Sequence, residues 1–249
     1  MIQEPAKKLR VAAIVPAYNE QETLAEVLRV LLATPNIDEI LVVSDGSTDQ
    51  TVEIARSFGL KTIHLRENQG KGMAMAVGVA HTDAAILLFV DGDILNLSGH
   101  LLSQLVEPVL KGRSDMNVGI RHRGALINEF HRRNGPLLSG IRCLRREIFE
   151  AVPETHLKGF AIETALNWSC RELGKCMTTI VLHNLKHLVK EKKRGLWRGL
   201  QARNRMFFEV FKAYMDLEWN RPALRRGVLG AVGGAGAQSP ERGLEYINF

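Results

Sequence analysis

The stretch from Ala85 to Asp93, Ala-Ile-Leu-Leu-Phe-Val-Asp-Gly-Asp, constrains the fold more than any other. Six apolar residues in succession suit a strand buried on both faces, not an alternating, half-exposed one. The run then ends abruptly in two carboxylates separated by a glycine. In an open α/β sheet, ligands occupy the crevice beyond the carboxyl ends of the strands. Asp91 and Asp93 would therefore stand on a rigid element at the mouth of a site. Carboxylate oxygens suit hard cations such as Mg²⁺ or Mn²⁺, which commonly sit against substrate phosphates. An ordinary Asp-Gly turn would look the same in isolation, so the flanking sequence has to decide.

The flanks alternate. An apolar run over 9–15 predicts a first strand, ending in Pro16-Ala17-Tyr18-Asn19-Glu20. There the proline is expected to stop the ladder and Asn19 to cap the next element. Leu24, Val27, Leu28, Leu31 and Leu32 recur at helical spacing. Residues 37–43 predict a second strand, followed by the turn Ser44-Asp45-Gly46-Ser47-Thr48-Asp49 and a helix carrying Val52, Ile54, Ala55 and Phe58. A third strand over 60–65 leads to Asn68-Gln69-Gly70-Lys71-Gly72 and a helix of small residues over 73–80. Such regular alternation predicts right-handed crossovers and a parallel sheet, with the polar loops converging at one edge. Asp45 suits a base or ribose edge. Lys71, between two glycines at a helix start, suits a phosphate. Asp91 and Asp93 suit the metal that neutralises a diphosphate. Neither a Walker loop nor a Gly-x-Gly-x-x-Gly fingerprint follows the first strand, which disfavours a P-loop hydrolase and a nicotinamide dehydrogenase.

In their order and spacing, Val15-Pro16-Ala17-Tyr18-Asn19-Glu20, Asp45-Gly46-Ser47-Thr48-Asp49, Gly70-Lys71-Gly72 and Asp91-Gly92-Asp93 resemble the motifs of family 2 glycosyltransferases with the GT-A fold. The resemblance implies a Rossmann-like, three-layer α/β/α domain around a mostly parallel central sheet. It implies a UDP- or GDP-sugar donor held by Pro16, Ala17, Tyr18, Asn19, Glu20, Asp45, Gly46, Ser47, Lys71, Gly72, Asp91 and Gly92. It also implies Mg²⁺ or Mn²⁺ on Asp91 and Asp93.

The second half is less regular. Residues 98–110 predict a helix capped by Ser98, and 116–120 a strand running into Arg121-His122-Arg123. A turn-rich loop through Leu138, Ser139 and Gly140, candidate acceptor contacts, feeds a strand over 141–144. Gly159-Phe160-Ala161-Ile162-Glu163-Thr164 resembles the acceptor-side segment of the same family. That makes Glu163 the candidate acceptor contact or general base, with Thr164 beside it. A first-turn Glu favoured by the helix dipole is the plainer alternative. After a strand over 176–182, His183 and His187 lie four apart, but the segment looks extended, so the spacing carries no helical metal pair. By resemblance to glucosyl-3-phosphoglycerate synthases, His187 would be a third metal ligand. The Ser139-Gly140-Ile141-Arg142 stretch looks equally like polyprenyl-phosphate sugar synthases, so the branch stays open. Basic residues in this half favour a phosphate-bearing or lipid-phosphate acceptor, with Arg121, Arg123 and Arg142 as clamps. Such an acceptor is already ionised, whereas a hydroxyl acceptor in an inverting reaction would need a base.

Composition bounds the partners. A formal charge of +6 favours anionic ligands, while the absence of aromatics interleaved with basic residues disfavours nucleic acid. Three cysteines without metal or disulfide spacing fit a reduced, cytoplasmic setting, and no stretch has the length of a membrane span. The expected organisation is a GT-A domain over 1–195, with a nucleotide half at 8–97 and an acceptor half at 98–195. An amphipathic helix at 196–218 and a flexible tail at 219–249 follow. The basic helix suits packing on the domain, peripheral contact with an anionic membrane, or a homodimer face. The functional expectation is a metal-dependent hexosyltransferase. A sugar-1-phosphate nucleotidylyltransferase would carry a Gly-Thr-Arg loop after the first strand. A non-catalytic nucleotide-sugar-binding module would tolerate loss of a carboxylate that is here retained.

Overall fold

The computed structural model describes residues 9–121, 139–157, 162–182 and 185–187, with 212, 215–217, 219 and 246–247 toward the C-terminus. The buried apolar run forms β4 (Ile86–Phe89), and all four of its residues are inaccessible to solvent. It lies mid-sheet beside β1 (Val11–Ala17), with which it pairs in parallel, Val11 opposite Ile86 and Ile14 opposite Phe89. On the other side of β1 come β2 (Glu39–Ser44) and then β3 (Lys61–Leu65), both parallel. Between these strands run α1 (Leu24–Ala33), α2 (Thr51–Ser57) and α3 (Lys71–Ala80). The strand–helix alternation and the parallel pairing expected from the sequence are therefore present in the first half.

Beyond β4 the direction changes. A short β5 (Ile94–Leu95) and α4 (Gly99–Leu110) lead to β6 (Met116–Arg121). The chain then enters β7 (Arg142–Arg145), which pairs antiparallel with both β4 and β6. Next come α5 (Arg146–Glu150), a 3₁₀ turn at Glu154–His156 and α6 (Ile162–Glu172). β8 (Met177–Leu182) pairs in parallel with β6, and β9 (Lys186–His187) pairs with β5 in a separate two-stranded sheet. Among the described residues the main sheet has the order β10-β3-β2-β1-β4-β7-β6-β8. Its last member, β10 (Tyr246–Ile247), pairs antiparallel with β3, so these two tail residues lie on the sheet edge.

Period-two alternation makes two cores, one on each face. Val11, Ala13 and Val15 of β1 pack with α1, α2 and α4, through Leu24, Leu28, Ala55, Leu102 and Leu105. Ala12 and Ile14 pack with α3, α5 and α6, through Met75, Phe149, Leu166 and Trp168. Each fully buried Leu, Ile or Phe contributes about 1.5–3 kcal/mol, so the sheet is sandwiched by comparable layers. Leu217, in a helical segment at 215–217, is completely buried in the second of these cores. That segment packs on the domain. No helix among the described residues is long and apolar enough to cross a membrane.

Two local expectations are corrected. Pro16 does not stop the ladder: β1 runs on to Ala17, with Pro16 opposite Val43. The strand β4 pairs with β1 only as far as Ile14, so at Pro16 the strand is hydrogen-bonded on one side, where a missing N–H is tolerated. Asn19 does not cap α1. It takes a positive φ of 54°, and its Oδ1 accepts from Thr48 N at 2.8 Å, tying the first loop to the second. Helix α1 starts instead on the Glu20 carbonyl, which accepts from Thr23 N and Leu24 N. Ser98 caps α4 as expected, accepting from Leu101 N at 3.3 Å.

Candidate active site

At the carboxyl end of β4 the chain turns through Asp91, Gly92 and Asp93, both carboxylates remaining partly open to solvent. Thr23 fastens this turn from a distance, its buried Oγ1 donating to the Gly92 carbonyl at 2.7 Å. Nothing in the pattern around Thr23 marks it, because the contact spans 69 positions. Immediately after the turn, Ile94 of β5 stands opposite His187 of β9. The backbone register thus brings His187 beside the residue that follows Asp93. The carboxylates on this fastened turn carry oxygen donors of the kind hard divalent cations take.

The loops before α1, α2 and α3 meet at the same edge. Asn19 N donates to Ser47 Oγ at 3.1 Å, and Glu20 N to Thr51 Oγ1 at 2.8 Å. Tyr18 projects with 43% of its surface exposed, whereas Ala17 is buried. Asp45 differs from expectation. Only 4% exposed, it accepts from Gln69 N at 2.7 Å and Gly70 N at 2.9 Å. Its first task is to carry the 68–70 loop, and so the start of α3, into place. Gly46 makes the accompanying turn with a φ of 69°. Gly72 is needed for another reason: a side chain there would overlap the Leu157 carbonyl, so α3 abuts the segment leading to α6.

Lys71, the first residue of α3, is where the two halves join. Its Nζ lies 2.6 Å from Asp91 Oδ1 and 3.0 Å from Glu163 Oε1. Burial pulls the lysine's pKa down, but the two carboxylates push it up by more, so the ammonium is held charged. Burial raises Glu163, yet the charges of Lys71 and Arg142 outweigh it and hold the carboxylate below its ordinary range. Glu163 is therefore ionised and only 15% exposed. Over this pair lies Gly140, where a Cβ would overlap both Asp91 Oδ2 and Lys71 Nζ. Only glycine allows the backbone that close.

Three acceptor-side expectations change. Arg142 is not an open phosphate clamp: it is completely buried, with its fork occupied by protein acceptors. Its Nε and Nη2 donate to the Ser139 carbonyl at 3.1 and 2.7 Å. Its Nη1 donates to the Glu163 carbonyl at 3.3 Å and to Asn167 Oδ1 at 3.1 Å. Thr164 is 4% exposed and closed to an acceptor arriving from solvent. Ser139 turns its hydroxyl onto the Gly119 carbonyl of β6, which fixes the loop instead of presenting it outward. Arg123 and Leu138 lie outside the described residues, as do the side chains of Arg121 and His187. Thr23, Thr51 and Asn167, whose partners lie far away in the chain, are parts of the arrangement that sequence patterns did not reveal.

An α/β/α sandwich with paired carboxylates at the end of a central strand, and a lysine at a neighbouring helix start, is the arrangement expected from the sequence. Comparison with known sequences agrees: the family model described as glycosyl transferase family 2 matches residues 12–160. The chain belongs to that family. It is 39% identical to a dolichyl-phosphate beta-glucosyltransferase of Drosophila melanogaster over 36% of this chain and 32% of that protein. It is 31% identical to a glucosyl-3-phosphoglycerate synthase of Mycobacterium tuberculosis over 52% of this chain and 40% of that one. These matches span less than half the length of those relatives. The crystal structure of the mycobacterial synthase with Mn²⁺, uridine-diphosphate-glucose and phosphoglyceric acid superposes with a TM-score of 0.67 at 24% identity, covering 84% of this chain and 79% of that one. The GT-A expectation for the fold is thereby met.

Proposed function

We propose that the chain is a metal-dependent glycosyltransferase that moves a hexosyl group, glucosyl in the first instance, from a UDP-sugar to a phosphate-bearing acceptor. The observation that carries this reading is the contact of Lys71 with Asp91 and Glu163 beneath Gly140. It joins the candidate metal-binding turn, the candidate phosphate-binding helix start and the acceptor-side helix at one point. The glucosyl transfer in the relatives' names, and the Mn²⁺ and uridine-diphosphate-glucose in the mycobacterial crystal structure, support the choice of UDP-glucose and Mn²⁺.

Asp91 and Asp93 would hold a divalent cation, with His187 as third candidate ligand. When bound, that cation supplies charge to offset the departing diphosphate. Lys71 is the chain's own contribution to the same task. Pre-charged and aimed from a helix start, it turns from Asp91 toward the diphosphate. Exposed Tyr18 and the 44–48 turn form the platform for the base. Glu163, held ionised by neighbouring cations, is a weak proton acceptor, since an efficient general base has a pKa near the working pH. We assign it to orienting the acceptor. That role suits an acceptor whose own ionised phosphate or carboxylate groups are steered by the surrounding basic residues.

The test is transfer of labelled glucose from UDP-glucose in Mn²⁺ to 3-phosphoglycerate, to dolichyl phosphate and to glucose as a phosphate-free control. Product with either phosphate acceptor, lost in Asp91→Asn, supports the proposal. Transfer to the control alone, or transfer unchanged in Asp91→Asn, contradicts it.

A further inference from the structure

The fully buried Arg142 lies behind the site and does not line it. Removing a guanidinium from water carries a penalty of several kcal/mol unless its hydrogen bonds are remade. Here they are remade by two segments more than twenty positions apart in the chain. One is the loop at 139–140, whose Ser139 carbonyl accepts both Nε and Nη2. The other is the first turn and a half of α6, through the Glu163 carbonyl and Asn167 Oδ1. The loop's Gly140 presses on Asp91 and Lys71, while the helix carries the Glu163 carboxylate that meets Lys71 from the other side. A planar fork can grip both at fixed angles, which an ammonium cannot do.

We propose that Arg142 is a positioning residue: it couples the 139–140 loop to the start of α6, and so sets where Gly140 and Glu163 stand over the Lys71–Asp91 pair. Its catalytic consequence rests on the transferase reading above, whereas the coupling itself does not. The arginine also keeps a positive charge near Glu163 when Lys71 turns to a diphosphate. Loss of the fork would let the two segments move independently, and displacements of about 1 Å at a reacting centre can cost on the order of 10²-fold in rate.

Wild type, Arg142→Lys, Arg142→Met and Asn167→Ala are compared in three measurements: hydrogen–deuterium exchange, calorimetric titration with UDP-glucose and Mn²⁺, and initial rates of UDP release. Arg142→Met is expected to raise exchange about tenfold or more at both 139–141 and 162–167, while β1 and β4 keep their protection. Its UDP-glucose affinity stays within about twofold of wild type and its kcat falls by roughly 10- to 100-fold. Arg142→Lys recovers part of both, and Asn167→Ala loosens mainly the helix. Exchange raised in only one of the two segments, or in neither, overturns the coupling. A kcat unchanged in Arg142→Met while both segments loosen overturns its catalytic consequence. Wild type that binds no UDP-glucose defeats the transferase reading, and the exchange pattern still decides whether Arg142 couples the segments.

Discussion

Four alternating charges, Asp91, Lys71, Glu163 and Arg142, come from four separate parts of the fold, the turn after β4, α3, α6 and β7, and hold one another in place. Their chemistry makes two testable statements. Gly140→Ala places a methyl group against Asp91 and Lys71. We expect it to lower transfer on the order of 10²-fold by pushing the Asp91 carboxylate and Lys71 ammonium out of place, with the donor KM raised as well. Activity within twofold of wild type would contradict the close approach. The second concerns acid. Glu163 has a folded pKa below its ordinary value of 4.5, through Lys71 and Arg142 overcoming burial. A depressed carboxylate contributes stability that is present above the unfolded pKa and lost as pH falls through the folded one. Denaturant unfolding of wild type and Glu163→Gln should therefore differ most near neutrality and converge as the pH drops below 4.5. A difference that does not change with pH would exclude the ion pair as its source.

At the scale of elements, the molecule separates what patterns can show from what they cannot. The run before Asp91, the amphipathic spacing of α1 and the Ser98 cap were legible because each depends on neighbours in the chain. Ser98→Ala should cost about 1 kcal/mol of stability by removing a cap and leave transfer unchanged, as urea unfolding and kinetics would show together. A stability change near zero would place the cap's burden elsewhere. Pro16 and Asn19 misled for the opposite reason. Whether a proline ends a strand depends on whether a partner lies on its N–H side, and β4 stops short of Pro16. Asn19 and Asp45 suit caps and ligands in isolation, but each finds a backbone partner on a neighbouring loop. Arg142 is the extreme case. In sequence it belongs with the basic residues of the second half, whereas burial inside the sheet turns it from a ligand clamp into a structural joint.

For the whole molecule, the open question of the sequence was where the C-terminal part goes. Asp216 lies 3.1 Å from His156, and Leu217 fills the core shared by α3 and α6, while Trp219 stays 81% exposed. Leu217→Ala should cost about 2–5 kcal/mol, as for other buried leucines, measured by denaturant unfolding, and a loss under about 0.5 kcal/mol would mean the segment contributes no packing. The strand over 141–144 was foreseen, but its antiparallel direction as β7 and the edge-docked β10 could not be, since sequence alternation says nothing of pairing by irregular or distant segments. Whether Asp91 and Asp93 form a metal-dependent donor site or an ordinary turn is decided by titrating UDP-glucose calorimetrically into wild type and Asp93→Asn, each with Mn²⁺ and with chelator. Binding to wild type is expected to require Mn²⁺ and to weaken at least about tenfold in Asp93→Asn, a loss of roughly 1.4 kcal/mol. Binding indifferent to both metal and substitution, or none at all to wild type in Mn²⁺, would contradict the donor site.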